Sequence, residues 1–188
     1  MRKTDLKSII ITGVIFIAAI GSIAAAEESN NHAVLLDSVE VSAGESFVLG
    51  LSIMADRIDP DEVSGKEGVG SFCIPMKYNR DMFVVDSVVF INTLSKWDEA
   101  FTNPKTDTGF ISLAGIYDMG GKDNPTMYNP GKPERSAEIY FSASKKAKPG
   151  IYKIELTRDP RQGNIYLGSS LGVKAVVPKF KSGIVVIK

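Results

Sequence analysis

Cysteine and histidine are nearly absent from this chain: Cys73 and His32 are the only ones. A single thiol excludes an intramolecular disulfide, and one histidine with one cysteine cannot assemble a zinc site of the usual composition. His32 sits in a polar stretch near the N-terminus, where it reads as a bystander and not as the rigidly held base of a proton shuttle. No glycine-rich phosphate loop joins a strand to a helix. Excess charge of either sign is also missing, with 22 basic against 22 acidic residues. A near-neutral surface without a basic cluster does not attract a phosphate backbone, so nucleic acid is excluded as a partner. There is no internal repeat, no low-complexity tract and no interdomain linker. The enzyme route left open is a pair of carboxylates. Asp86, Asp98, Glu99, Asp118 and Glu138 could supply one, but any soluble protein offers as much, and the chain reads as non-catalytic.

What is present begins with a long apolar run. Arg2, Lys3 and Lys7 precede it, Ile9 through Ile20 is almost wholly apolar, and Ala24-Ala25-Ala26 leads into Glu27-Glu28. A basic flank, an apolar core and small residues before a polar start describe a secretory signal peptide, residues 1–26. The run would partition into a membrane while its basic end stays cytoplasmic. A retained anchor is the alternative, because Ile9 to Ala26 reaches the lower part of the roughly 17–25 residues that a span needs. Either way the expected location is outside the cytoplasm: periplasm, cell surface or secreted. No second run of that length follows. Residues 27–34 are expected to form a flexible leader and 35–188 a single domain, large enough to bury about 70% of its unfolded surface. In that domain Cys73 reads as a small buried apolar group.

The rest of the chain alternates between apolar and polar residues with almost no helical period. Phe47, Leu49, Leu51 and Ile53 share one side of a ribbon whose other side carries Ser46, Gly50 and Ser52. Ala137, Ile139 and Phe141 likewise oppose Glu138, Tyr140 and Ser142. Period-two patterning marks half-buried strands. Further strands are expected at 36–41, 71–78, 82–90, 109–117, 151–157, 165–167, 173–177 and 184–187. Pro75 places the third of the ribbons in chain order, 71–78, at an edge or at a bulge, since proline cannot donate to a ladder. Residues 92–107 read as a connection, with a helical turn over 94–100, and 118–135 as a long loop. About nine or ten close-spaced strands separated by turns predict an all-β, two-sheet sandwich.

Four stretches together resemble the cohesin-like domains, jelly-roll sandwiches best known as dockerin receptors. They are Val39-Glu40-Val41-Ser42-Ala43-Gly44-Glu45-Ser46-Phe47-Val48-Leu49, then Met76-Lys77-Tyr78-Asn79-Arg80-Asp81-Met82-Phe83-Val84-Val85-Asp86-Ser87-Val88. After these come Glu138 to Ala143 followed by Lys148-Pro149-Gly150-Ile151-Tyr152-Lys153-Ile154, and finally Ser182-Gly183-Ile184-Val185-Val186-Ile187. The resemblance covers about Leu36 to Lys188. It implies a jelly-roll topology and an extracellular protein partner, possibly of dockerin type, bound on a sheet surface and not in a cleft. The sequence departs from the family pattern at Asn79, at Pro75 and in the length of the 118–135 loop. A polysaccharide is the alternative partner, taken by a carbohydrate-binding module on the same kind of sandwich.

Aromatic residues in loops are the clearest candidates for contact, because rings stack on sugars and anchor interfaces. Trp97 and Tyr128 fall in loops and Tyr117 at a strand end; Lys77 joins them as a binding candidate. For Trp97 the competing reading is that it folds back with Phe101 to cap the sandwich, whereas Tyr128, beside Asn129-Pro130-Gly131, is expected to be exposed. No cofactor is required. Calcium is the one metal with candidate ligands, oxygen donors on irregular backbone. They are Asp118, Asp123 and Asn124 in one loop and Asp56, Asp59, Asp61 and Glu62 in another. Neither run has a recognised spacing, and both read more simply as solvated loop acids.

Overall fold

Alternating apolar residues bury one side of each ribbon, and a computed structural model shows how the ribbons stack. It describes residues 28–105, 108–158 and 164–188. Twelve strands are present among these residues: β1 (Glu28–Leu36), β2 (Ser38–Val41), β3 (Ser46–Met54), β4 (Val69–Lys77), β5 (Phe83–Phe90), β6 (Glu99–Lys105), β7 (Phe110–Ile116), β8 (Glu134–Ala143), β9 (Gly150–Leu156), β10 (Tyr166–Ser169), β11 (Ala175–Lys181) and β12 (Gly183–Ile187). The only helical element among the described residues is a 3-10 turn, Asn92–Lys96. The all-β sandwich expected from the alternation is what forms.

One layer is β5-β8-β3-β1 and the other is β6-β7-β4, continued by β10 and β9 along the far side of β4. The layers join along one side by two routes, β10-β11-β1 and β9-β12-β2. On the other side the outer strands β5 and β6 approach each other without a ladder between them. β1 and β2 behave as one strand that changes sheets at Asp37, whose N–H donates to the Gly50 carbonyl at 3.0 Å.

The core lies between the layers. Phe72, Ile74 and Met76 from β4 and Ile111 and Leu113 from β7 meet Leu49, Leu51, Ile139 and Phe141 from the opposite sheet, all fully buried. Each such side chain stabilises the fold by about 1.5–3 kcal/mol through removal from water. Phe47 stacks on Phe141 with centroids 5.3 Å apart, and Phe83 meets Phe47 edge-on at 5.6 Å. Edge-on and offset pairs suit the ring quadrupoles.

Four expectations need correction. The strand count exceeds nine because the 92–107 connection contains β6 and because the polar stretch before residue 34 is β1. His32 is accordingly buried on β1, with Nδ1 accepting the Asp56 N–H at 3.3 Å. The strand is anchored by its second half, where β3 pairs over Ala33–Leu36 and β11 over Ala33–Leu35, and the polar half is carried between that ladder and the Glu28 pairing with β11. Pro75 does not mark an edge: β4 is central, paired to β7 from Ser71 to Lys77. The partner on its other side changes from β10, last paired at Cys73, to β9, first paired at Met76. Pro75 sits at that change, its carbonyl accepting the Thr157 N–H at 3.0 Å. N–H and C=O of one strand residue point the same way, so the missing donor falls where the ladder is already broken. Cys73, finally, is half-buried on an outer face and not part of the core.

Candidate binding face

The two layers present outer faces of different character. On the β5-β8-β3-β1 side the polar groups are tied to one another. Arg135 lies across Gly50, where a Cβ would stand 2.2 Å from the guanidinium carbon. Its Nη1 donates to Asp37 at 2.7 Å and its Nε pairs with Glu138 at 3.3 Å. The Tyr140 hydroxyl donates to Glu138 at 2.9 Å and the Ser142 hydroxyl to Asp86 at 2.7 Å.

The outer face of β6-β7-β4 is built otherwise. Register places Phe101, Ala114, Cys73 and Tyr166 in one row across β6, β7, β4 and β10. Glu99, Ile116 and Ser71 form the next row, and Phe110 stands opposite Lys77 in another. Phe101 is 53% exposed and Ile116 39%. Beside them Ala114, Ser112 and Cys73 are half-buried and Pro75 is buried, which keeps the surface low. The result is a shallow apolar strip with a ring at one margin and charge at its lower end, where Lys77 pairs with Glu155 at 3.3 Å. The Cys73 thiol lies 3.9 Å from the Ser112 hydroxyl, and burial pushes its pKa up, which keeps it protonated and a poor nucleophile.

Trp97 fixes the upper end of this layer from inside. Its ring packs on Phe72 with centroids 5.6 Å apart, and Nε1 donates to the Pro125 carbonyl at 2.9 Å. Gly115 makes room for both rings, since a Cβ there would be 2.6 Å from Phe72 and 3.1 Å from Trp97. Trp97 is therefore buried and unavailable for contact; the capping reading is the one that holds for it. Its companion Phe101 instead faces outward on β6. Tyr117 is half-buried, edge-on to Trp97 at 6.4 Å, with the Lys66 ammonium 5.9 Å from its ring centroid. Tyr128 is exposed as expected, but in the loop after β7 and away from the strip. Of the four binding candidates only Lys77 stands on this face.

The acidic runs have partners within the protein. Asp118 accepts the N–H groups of Gly120 at 3.2 Å and Lys122 at 3.1 Å, Asp123 pairs with Lys66, and the Asn124 amide donates to Asp98 and to the Tyr117 carbonyl. Asp98, outside the expected set, is the hub of that loop. The Met119 N–H, Lys122 and Asn124 hold its carboxyl at about 2, well below the usual carboxylate range. Asp59 and Glu62 are buried and not solvated, a correction to the sequence reading. Glu62 accepts N–H groups of Ile58, Gly68 and Ser170, and Asp59 accepts Lys174 at 3.0 Å. Among the described residues no three His, Cys, Asp or Glu side chains converge as metal ligands.

The outward residues Phe101, Phe110, Ala114 and Ile116 were missed by sequence reasoning. The available signal was β7 itself: Phe-Ile-Ser-Leu-Ala-Gly-Ile has no charged residue on either side, unlike a strand with one solvated face.

No family model and no curated protein matches this sequence. Solved structures do. A Clostridium thermocellum type I cohesin, OlpA, crystallised in complex with the dockerin Doc918, is 17% identical with a TM-score of 0.65, the match covering 85% of this chain and all of that one. A cohesin from Clostridium acetobutylicum, CaCohA2, solved in solution, is 17% identical with a TM-score of 0.62, covering 84% and 91% of the two chains. A non-cellulosomal cohesin from the archaeon Archaeoglobus fulgidus is 14% identical with a TM-score of 0.53, covering 84% and 91%. From Glu28 onward, this chain has the cohesin fold.

Proposed function

We propose that this chain is an exported, non-catalytic recognition domain that docks a protein partner on the β6-β7-β4 face. The observation that carries the reading is the contrast between the two outer faces. One spends its polar groups on internal ion pairs and hydrogen bonds and exposes two small aliphatics, Val84 and Val89, on its outer strand β5, whereas the other leaves the Phe101 ring and Ile116 in water around a strip of small residues. A low apolar centre with charged residues at its margin is the anatomy of a protein interface. Support for the partner class comes from the similar structures, several of which are cohesins in complex with dockerins. Support for export comes from the N-terminal run Ile9–Ala26.

The test is a pull-down of dockerins and of the producing cell's secreted proteins, with and without calcium, since a metal-dependent partner would escape a calcium-free assay. Phe101→Asp and Ala114→Arg should each lower capture at least tenfold while thermal unfolding stays unchanged. Ser142→Arg, on the opposite face, should leave capture intact. No partner under either condition, or equal loss from Ser142→Arg, would sink the proposal. The polysaccharide alternative predicts a row of exposed rings on one strand, whereas Phe101 and Tyr128 lie on separate elements. Binding to insoluble polysaccharide that Tyr128→Ala abolishes would replace the protein reading.

A further inference from the structure

The two ends of the sandwich also differ. At the end where β3, β7 and β10 finish, the connections 55–68 and 169–174 are stitched together from within. The Glu62 carboxylate accepts the N–H groups of Gly68 at 3.0 Å and Ser170 at 3.1 Å, the Gly68 carbonyl accepts the Ser170 N–H at 3.1 Å, and Lys174 reaches Asp59 at 3.0 Å. Gly68 carries φ +93 and lies so close to the Met127 carbonyl that a Cβ would be 2.3 Å away, which ties in the loop after β7. These contacts turn Asp59 and Glu62 inward and leave aliphatic side chains outside, beside the exposed Arg57, Asp61 and Ser64. Val63 is 65% exposed, Leu171 46% and Val173 72%. Single exposed apolar side chains are ordinary, but three on adjoining, internally braced turns form a patch.

The chain enters the fold at this same end. β1 begins at Glu28, opposite Val177 on the parallel strand β11, four positions from Val173. The apolar run Ile9–Ala26 stops two residues earlier. Two residues span at most about 7 Å. Whatever holds that run therefore lies against this end of the domain.

We propose that this end rests on a lipid bilayer, with Ile9–Ala26 retained in the membrane as a tether and Val63, Leu171 and Val173 entering the interfacial zone. The cations on these connections are committed to acids, Lys174 to Asp59, Lys66 to Asp123 and Arg57 to Glu67. The contact is thus apolar and not charge-driven, so zwitterionic lipid suffices and added salt has little effect. The assignment stands apart from the docking face, which would open sideways, parallel to the membrane normal.

The experiment uses the full chain with Cys73→Ser, reconstituted in phosphatidylcholine vesicles. A single environment-sensitive fluorophore is placed through Val63→Cys, Val173→Cys or, at the far end, Ile151→Cys. Shallow nitroxide lipids should quench the labels at 63 and 173 several-fold more than the label at 151, equally at low and high salt. Equal quenching at all three positions would overturn the proposal, as would protection of the loop end by another protein with no lipid contact. Intact mass of the product from the producing cells reads the tether separately. Membrane-bound chain retaining Ile9–Ala26 supports the assignment, and soluble chain starting after Ala26 overturns it.

Discussion

Three residues show how much a single side chain decides. Trp97 fills the end of the core against Phe72 and Gly115 and satisfies its N–H on Pro125. Trp97→Ala should cost about 3–5 kcal/mol, read as a lower urea midpoint, because a cavity and an orphaned carbonyl remain. His32 is the only side chain whose ordinary pKa, about 6.5, lies near neutrality. Burial lowers it, outweighing the opposing pull of Asp56 and Glu62. The neutral form is favoured in the fold and the unfolded chain binds the proton more readily, so this stability is complete above about pH 6.5 and is lost as pH falls toward the lowered folded value. Urea midpoints measured from pH 7.5 down to pH 5 should fall through that window, and His32→Gln should flatten the fall. Tyr128, by contrast, is exposed, so Tyr128→Ala should leave stability within about 0.5 kcal/mol.

At the scale of elements, the ribbons with one greasy and one wet side were legible in the sequence. β3 and β8 have the faces that their alternation assigns, since only one side of each meets the core. β1 was not legible. Its polar residues give no period, and it is a strand because two neighbours offer it ladders, which is tertiary information. β6 escaped for a related reason: Glu-Ala-Phe-Thr-Asn-Pro-Lys reads as a connection until β7 pairs with it. Pro75 misled in the opposite direction. The rule that proline avoids ladders held locally, but the gap was made by β9 giving way to β10 and not by a sheet edge. Replacing it supplies an N–H at that gap, so Pro75→Ala should shift stability by no more than about 1 kcal/mol in denaturant titration, far less than proline rules for a central strand suggest.

At the scale of the whole molecule, the candidate site is less legible than the fold. Loop aromatics were the natural suspects, yet Trp97 went inside and Tyr128 stands alone, while the surface that qualifies is assembled from four strands distant in sequence. Sheet register brings Phe101, Ala114, Cys73 and Tyr166 into one row, and no local pattern encodes register between strands so far apart.

The joining of β2 to β12 has a mechanical corollary. These strands run parallel, Ser38 beside Ile184 through Val41 beside Ile187, so the chain enters the barrel-like seam at one pole and leaves at the other. A force drawing the first and last residues apart would act along that ladder. Its hydrogen bonds would then be strained together, like overlapped fibres sliding in a splice, and could not be opened one by one from a free corner. A domain wired this way is suited to bear load while both of its sheets stay folded.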